Sequence, residues 1–529
     1  MAILLQDFIH SSAEDAPHAP ALLHGSLEIT YRDLERTVRV VAGGLRELGL
    51  RSGDRVALYL PKVPEVVYGM FGTAAARGVF VPVNPLLKPR QVAHILRDSG
   101  ARFLITSADR ADLLAGELAD CPELRGVVVT DRPSGELPAS LGGLGLGWQS
   151  LLSEPDHPLP EGGIDADLAA ILYTSGSTGR PKGVVLSHRN MVAGADSVAR
   201  YLDNHPGDRL LAVLPFSFDY GLSQLTTAFS RGASVALMDY LLPRDVPRAV
   251  ARYGATGLAA VPPLWNQLAN LDWPGEARQS LRYLTNSGGA MPRATIHSLR
   301  QALPEARLYL MYGLTEAFRS TYLPPEELDR RPGSMGKAIP NAEVQVVRQD
   351  GSECAPGEPG ELVHRGALVA RGYWNDPEKT AERFRPAPGQ PDELPHPEIA
   401  VWSGDQVQKD EEGFLYFLTR QDELIKSSGY RISPTEVEEA VYAHGDIAQA
   451  VALGVPHPVL GQAVVVVIQP EAPGVTAEGI MGHCSRELPP FMVPGAVRFK
   501  DALPYNANGK LDRRALAEEF QNLFQDPEP

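Results

Sequence analysis

Apolar positions along the first hundred residues follow two alternating spacings. Between residues 31 and 49 they fall at Leu34, Val38, Val41, Leu45 and Leu48, the interval of one helix face. The unbroken run at 55–60 that follows predicts a buried strand. The same order returns at 91–98 before 102–106, at 242–253 before 258–261, and in the apolar run 168–172, so most of the chain predicts layered α/β structure with a parallel sheet. Near residue 336 the texture changes. Runs 342–347 and 360–364 alternate as strands between turn residues, which predicts a β-rich subdomain over about 336–418. After the strand-like run 413–418 come a charged stretch, 419–423, and a helix start at Pro434. A boundary at Asp422 therefore divides a large N-terminal domain, 1–421, from a small α+β C-terminal domain, 422–529. The glycine-rich stretch 142–147 departs from GxGxxG, follows no clear strand and reads as a turn.

Composition narrows the function class. With 529 residues, 43% hydrophobic and 22% charged, the chain is long and apolar enough for several packed domains. A net charge of −16 argues against a broad grip on nucleic acid or anionic lipid, so any phosphate site must be local. Cys121, Cys354 and Cys484 are far apart and form no CxxC pair, which fits a reducing, cytoplasmic setting. The N-terminus lacks the basic and apolar regions of a signal peptide, and no apolar run is long enough for a membrane span.

Candidate chemistry concentrates after the run 168–172, in Tyr173-Thr-Ser-Gly-Ser-Thr-Gly-Arg-Pro-Lys-Gly183. Glycines let backbone N–H groups approach phosphate oxygens, hydroxyls add donors, and Lys182 adds positive charge. The segment is not a P-loop of the GxxxxGK[ST] type, because Pro181 and Gly183 stand where Gly and Ser or Thr are required. Further blocks follow in order: Asn286-Ser-Gly-Gly-Ala290, Tyr312-Gly-Leu-Thr-Glu316, Ser403-Gly-Asp405, Arg420 with Asp422, 429–436, and Asn508-Gly-Lys510. Together they resemble the adenylate-forming superfamily of acyl-CoA synthetases, luciferases and peptide-synthetase adenylation domains, over nearly the whole chain.

That resemblance implies an AMP-forming ligase with ATP, Mg²⁺ and a thiol, either CoA or the phosphopantetheine arm of an acyl carrier protein. It implies that Thr174, Ser175, Gly176, Ser177, Thr178 and Gly179 with Lys182 hold the β- and γ-phosphates. Gly288, Gly289 and Ala290 would flank adenine, Tyr312 would stack on it, and Asp405 with Arg420 would take the ribose. Thr315 would touch the α-phosphate, Glu316 would be the Mg²⁺ carboxylate, and Lys510 would bridge the acid and the α-phosphate during adenylation. Asp422 matches a hinge about which the small, mobile C-terminal domain turns between the two half-reactions, bringing 429–436 to the site. Trp402, Thr419 and Ser428 depart from the commonest pattern at positions flanking these blocks. Only nine lysines occur in the chain, and two of them, Lys182 and Lys510, lie in the blocks.

The acid pocket carries the most informative departure, Phe216-Ser-Phe-Asp-Tyr-Gly-Leu222. A carboxylate at Asp219 would repel an acid unless it met an ammonium group, which favours an amino or imino acid. Equally, Asp219 fits as the N-cap of a helix beginning at Tyr220. Phe218, Trp265 and Phe318 are candidate pocket walls. The segment 312–327 also resembles acyl-CoA ligases linked to bacterial exosortase systems and, in part, stand-alone prolyl adenylases. The leading expectation is a CoA ligase acting on a small carboxylic acid, and the alternative is an amino- or imino-acid adenylase serving a carrier protein. About twenty residues follow Lys510, so no carrier domain is expected within the chain.

Overall fold

A computed structural model describes residues 2–152, 162–174, 181–391, 393–420, 425–427, 430–458, 460–488, 490–506 and 509–524, without the side chains at 420, 426, 430 and 431. The helix foreseen at 31–49 is Tyr31–Glu47. Thr30 caps it by accepting from the Asp33 amide, and Leu34, Val38, Val41 and Leu45 line its buried face. The strand Arg55–Tyr59 and the helix–strand pair Pro89–Ser99 and Ala101–Thr106 follow as expected. The helix expected at 242–253 begins later, as Asp245–Tyr253. The stretch 142–147 closes a 3₁₀ turn and enters the short strand Gly145–Gly147.

Two large sheets carry the N-terminal domain. A seven-stranded sheet runs Gly145–Gly147, Gly126–Val129, Ala101–Thr106, Arg55–Tyr59, Val79–Pro82, Leu168–Thr174, Lys182–Ser187; all neighbours are parallel except the last pair. A nine-stranded sheet has a parallel centre containing Arg307–Tyr312, Tyr283–Asn286, Gly257–Ala260, Arg209–Ala212, Ser234–Leu237 and Pro20–His24. Strands such as Val79–Pro82 and Gly257–Ala260 are buried at every position, as expected where helices cover both faces of a parallel sheet. The β-rich expectation corresponds to an antiparallel sheet of Ala342–Val347, Gly360–Gly366, Ile399–Lys409, Phe384–Pro386 and Leu415–Arg420.

The C-terminal region forms its own α+β layer. Strands Ile447–His457 and Gly461–Pro470 pair antiparallel, Ala496–Phe499 adds in parallel, and helices Pro434–Tyr442 and Ala477–Glu487 bury Val437, Val441, Ile480 and Cys484 against them. The three cysteines are buried and unpaired with one another. Among the described residues no helix is long and apolar enough to cross a membrane.

Candidate active site

The two parallel sheets end on a common crevice, and the C-terminal ends of their strands supply it, as in open α/β sheets generally. Leu168–Thr174 delivers Thr174, whose buried hydroxyl oxygen meets no partner. Lys182 opens the next strand, and Tyr173-to-Gly183 and Thr174-to-Lys182 pairing sets its position. Strand Tyr283–Asn286 ends before Ser287 and Gly288; strand Arg307–Tyr312 ends before the 3₁₀ turn Thr315–Ala317. Ser175, Gly176, Ser177, Thr178 and Gly179 lie outside the described residues, as does Asp422, and of Arg420 only the backbone is described, opposite Asp405.

Lys182 and Glu316, 134 positions apart, are joined at 3.1 Å. Tyr373 closes the group: Lys182 donates to its hydroxyl at 2.7 Å, and that hydroxyl donates to Glu316 Oε1 at 2.6 Å. The Lys182 ammonium also sits 4.1 Å from the Tyr373 ring centroid. Burial favours the neutral acid at Glu316, yet Lys182 and the Tyr373 hydroxyl outweigh it and hold the carboxyl below the ordinary glutamate range. Tyr373 escaped the reading of the sequence, since a Tyr in a Gly-Tyr-Trp-Asn turn carries no spacing that separates it from packing.

The next layer is built around Tyr312 and Asp405. Tyr312 donates to Asp405 Oδ2 at 2.5 Å, and Ser403 supports Asp405 by accepting from its amide at 3.0 Å. Gly288 has φ +85°, and a Cβ there would stand 3.0 Å from Lys510 Cε. Asn286 donates to the Gly289 carbonyl at 3.0 Å, while Gly289 and Ala290 are exposed at the crevice mouth. Trp402, one of the departures, is structural: its indole donates to the Pro386 carbonyl at 3.2 Å and the Arg385 guanidinium lies 3.7 Å from its ring centroid.

Lys510 arrives from the C-terminal domain on a turn held by hydrogen bonds between Asn506 and Lys510. Its ammonium stands 5.1 Å from the Phe218 ring centroid, beside Gly288. An Asn270–Glu471 hydrogen bond of 2.9 Å joins the two domains elsewhere.

Asp219 is not the helix cap that its sequence permitted. The helix is Asp219–Phe229, Phe218 occupies the N-cap position, and Asp219 is the first helical residue. Its buried carboxylate instead accepts from Thr315 Oγ1 at 3.1 Å. Burial pushes its carboxyl above the ordinary range, against the pull of Arg319 and Lys510. Phe218 and Trp265 belong to the same buried cluster; the Phe218 ring faces the Lys510 ammonium at 5.1 Å, while Trp265 is fully buried and donates to the Thr285 carbonyl at 3.1 Å. Phe318 does not join the site. Its φ of +57° turns the ring into the opposite core, where it packs on Gly194, and returns the chain so that Arg319 faces inward. Arg319, also missed in the sequence, is 1% exposed and donates to Ser287 Oγ at 2.9 Å.

Residues 9–374 match the AMP-binding enzyme family, and 436–510 match the AMP-binding enzyme C-terminal domain. The chain belongs to the AMP-binding enzymes. It is an AMP-forming ligase of the adenylate-forming superfamily. A long-chain-fatty-acid–CoA ligase of Escherichia coli O157:H7 is 31% identical, with 97% of this chain and 94% of that protein covered. ATP-bound MatB from Rhodopseudomonas palustris superimposes with a TM-score of 0.86 at 26% identity, covering 98% of this chain and 99% of that one. The o-succinylbenzoate coenzyme A synthetase (MenE) of Bacillus subtilis, in complex with ATP and magnesium, gives 0.80 at 26% identity over 96% and 98%. The described residues fit a nucleotide and its metal: a buried hydroxyl awaits an acceptor or donor at Thr174, Gly288 leaves room that a side chain would fill, and Glu316 is ionised. Among the described residues there is no group of three or more His, Cys, Asp or Glu that could hold a metal ion.

Proposed function

We propose that the enzyme joins a small carboxylic acid to CoA through an acyl adenylate. The observation that carries the reading is the position of Lys510, brought by the C-terminal domain against Gly288 and Phe218. An ammonium at that point meets both the acid carboxylate and the α-phosphate, drawing them together and neutralising charge as the carboxylate attacks phosphorus and pyrophosphate leaves. Thr174, Lys182 and the glycines between them hold the β- and γ-phosphates. Thr315 positions the α-phosphate, Tyr312 and Gly288–Ala290 take the adenine, and Asp405 with Arg420 takes the ribose. Glu316 is the protein ligand for Mg²⁺, which when bound offsets phosphate charge. Rotation about Asp422 then withdraws Lys510, brings 429–436 inward, and lets the CoA thiol displace AMP. The similarity to a long-chain-fatty-acid–CoA ligase and to o-succinylbenzoate coenzyme A synthetase supports CoA as the acceptor.

A second reading is favoured by Asp219: its buried carboxylate, free of the capping role, would pair with the ammonium of an amino or imino acid destined for a carrier protein. One experiment separates the two. Acid-dependent ATP/pyrophosphate exchange is measured across fatty, aryl, amino and imino acids, with CoA added afterwards and the thioester identified by mass. Exchange with simple acids that survives in Asp219→Ala, followed by an acyl-CoA product, supports the first reading. Exchange confined to amino or imino acids, falling roughly 10²-fold in Asp219→Ala, supports the second. Absence of exchange with every acid overturns both.

A further inference from the structure

Behind the helix Asp219–Phe229 lies a small cavity with about 20 Å³ of space for water centres, lined among others by Tyr220, Ser223, Gln224, Met311 and Arg319. That volume admits roughly one water or one polar group of similar size. Its walls are mostly apolar, yet three of its polar atoms are buried without a partner. Arg319 spends Nη1 on Ser287 and lays its guanidinium over the Tyr220 ring at 4.7 Å, while Nε and Nη2 meet no acceptor. Gln224, which also lines the cavity, donates to the Tyr220 carbonyl at 3.5 Å, and its Oε1 meets no donor. Buried donors and acceptors in folded proteins are nearly always satisfied, so such a set marks a place where something else completes it.

Two of the residues that line the cavity, Tyr220 and Arg319, adjoin the reacting centre along the chain or through a hydrogen bond. Ser287, the Arg319 partner, precedes Gly288, which abuts Lys510. Tyr220 follows Asp219, which bonds Thr315. An acid with its carboxylate at Lys510 would carry its far end toward Arg319 and Gln224. Two vacant donors and one vacant acceptor match a hydroxyl, which accepts from Arg319 and donates to Gln224. A carboxylate matches poorly, because it sets an acceptor against Gln224 Oε1. A methyl group leaves all three atoms unpaired.

Resting on the adenylation reading above, we infer that the preferred acid is short and carries a hydroxyl at the end remote from its carboxylate, recognised by Arg319 and Gln224. Sites built to hydrogen-bond a substrate hydroxyl discriminate strongly against analogues lacking it.

The test uses the full chain and matched acids of three to six carbons: n-alkanoates, ω-hydroxyalkanoates and α,ω-dicarboxylates. Two readouts are taken, kcat/KM for ATP/pyrophosphate exchange and the acid-induced shift in melting temperature without ATP. At the best-fitting length the native enzyme is expected to favour the hydroxy acid over the alkanoate by roughly 10²-fold or more. Arg319→Met collapses the ratio to within about threefold and removes the melting shift, and Gln224→Leu lowers it about tenfold. Should Arg319→Met fail to fold, Arg319→Lys replaces it, and the native panel still decides. Exchange with all acids at equal rates overturns the inference and leaves the ligase reading standing, as when a water fills the cavity permanently. A preference for dicarboxylates or alkanoates also overturns it. A melting shift by hydroxy acids that needs Arg319, without exchange, supports the inference and overturns the ligase reading.

Discussion

Glu316, in the turn Thr315–Ala317, joins Lys182 and Tyr373, while its neighbour Thr315 bonds Asp219 near Arg319, and the two groups settle their polar atoms in opposite ways. The first closes on itself through three contacts of 2.6 to 3.1 Å. The second buries an acid and a guanidinium that are not bonded to each other: Asp219, its carboxyl pushed up by burial, bonds Thr315, Arg319 bonds Ser287, and two guanidinium nitrogens stay unmatched. A ligand reaching the first group must exchange an existing contact for its own. One reaching the second completes contacts that the protein leaves open, each worth about 1–3 kcal/mol when left buried and unmade. With the roles proposed above, the nucleotide side would be preassembled to hold its charges before ATP arrives, while the acid side would gain most of its order from the substrate.

The strongest way to break this comparison is to remove the group that spans both sides. Lys510→Ala is expected to slow adenylation by roughly 10² to 10³-fold, the scale of one lost preorganised donor. Thioester formation from a supplied acyl adenylate should stay near the native rate if, as proposed, the rotation about Asp422 withdraws Lys510 in that step. Pyrophosphate exchange and single-turnover thioester assays check the two halves separately, and an equal loss in both would place Lys510 in general packing instead.

Glu316→Gln opens the preassembled side next. The amide keeps the shape but removes the charge that Lys182 faces, so exchange is expected to fall about 10²-fold with a raised Mg²⁺ requirement. A titration of Mg²⁺ against exchange rate checks it. A native-like Mg²⁺ curve would show that the carboxylate serves only to hold Lys182.

The same contrast explains what the chain disclosed before folding. Lys182, Glu316, Tyr312, Asp405 and Lys510 stand in short blocks whose order survives in one dimension, and the helix and strand spacings around 31–60 and 91–106 state their own elements. Arg319 and Tyr373 do not, because their partners, Ser287 and Lys182, are distant in sequence and nothing local marks the meeting. Phe318 misled for a physical reason: its left-handed backbone reverses which side chain faces the crevice, so the aromatic goes to the core and the arginine inward. Asp219 was ambiguous between cap and pocket until the helix start, one residue earlier than expected, removed the cap.

The smallest expected effect sharpens the unsatisfied side through pH. His364 is fully buried under the Arg319 loop, its Nδ1 2.9 Å from Ser320 Oγ and its Nε2 without a partner. Burial lowers its pKa from 6.5 to about 4 and that of His188, whose Nδ1 accepts from the Leu5 amide, likewise to about 4. Both are neutral in the folded protein, so as pH falls below 6.5 the unfolded chain takes up protons that the native state refuses. Stability is therefore full above about pH 6.5 and declines toward pH 4, by about 1.4 kcal/mol per histidine for each pH unit. Denaturant unfolding at pH 7 and pH 5 should differ by about 2 kcal/mol per histidine from this source. His364→Gln, which keeps a hydrogen-bonding side chain without the titration, should remove one histidine's share of that difference. An unchanged difference in the variant would mean that His364 already carries its proton in the native protein, and that its free nitrogen has found a partner in the folded state.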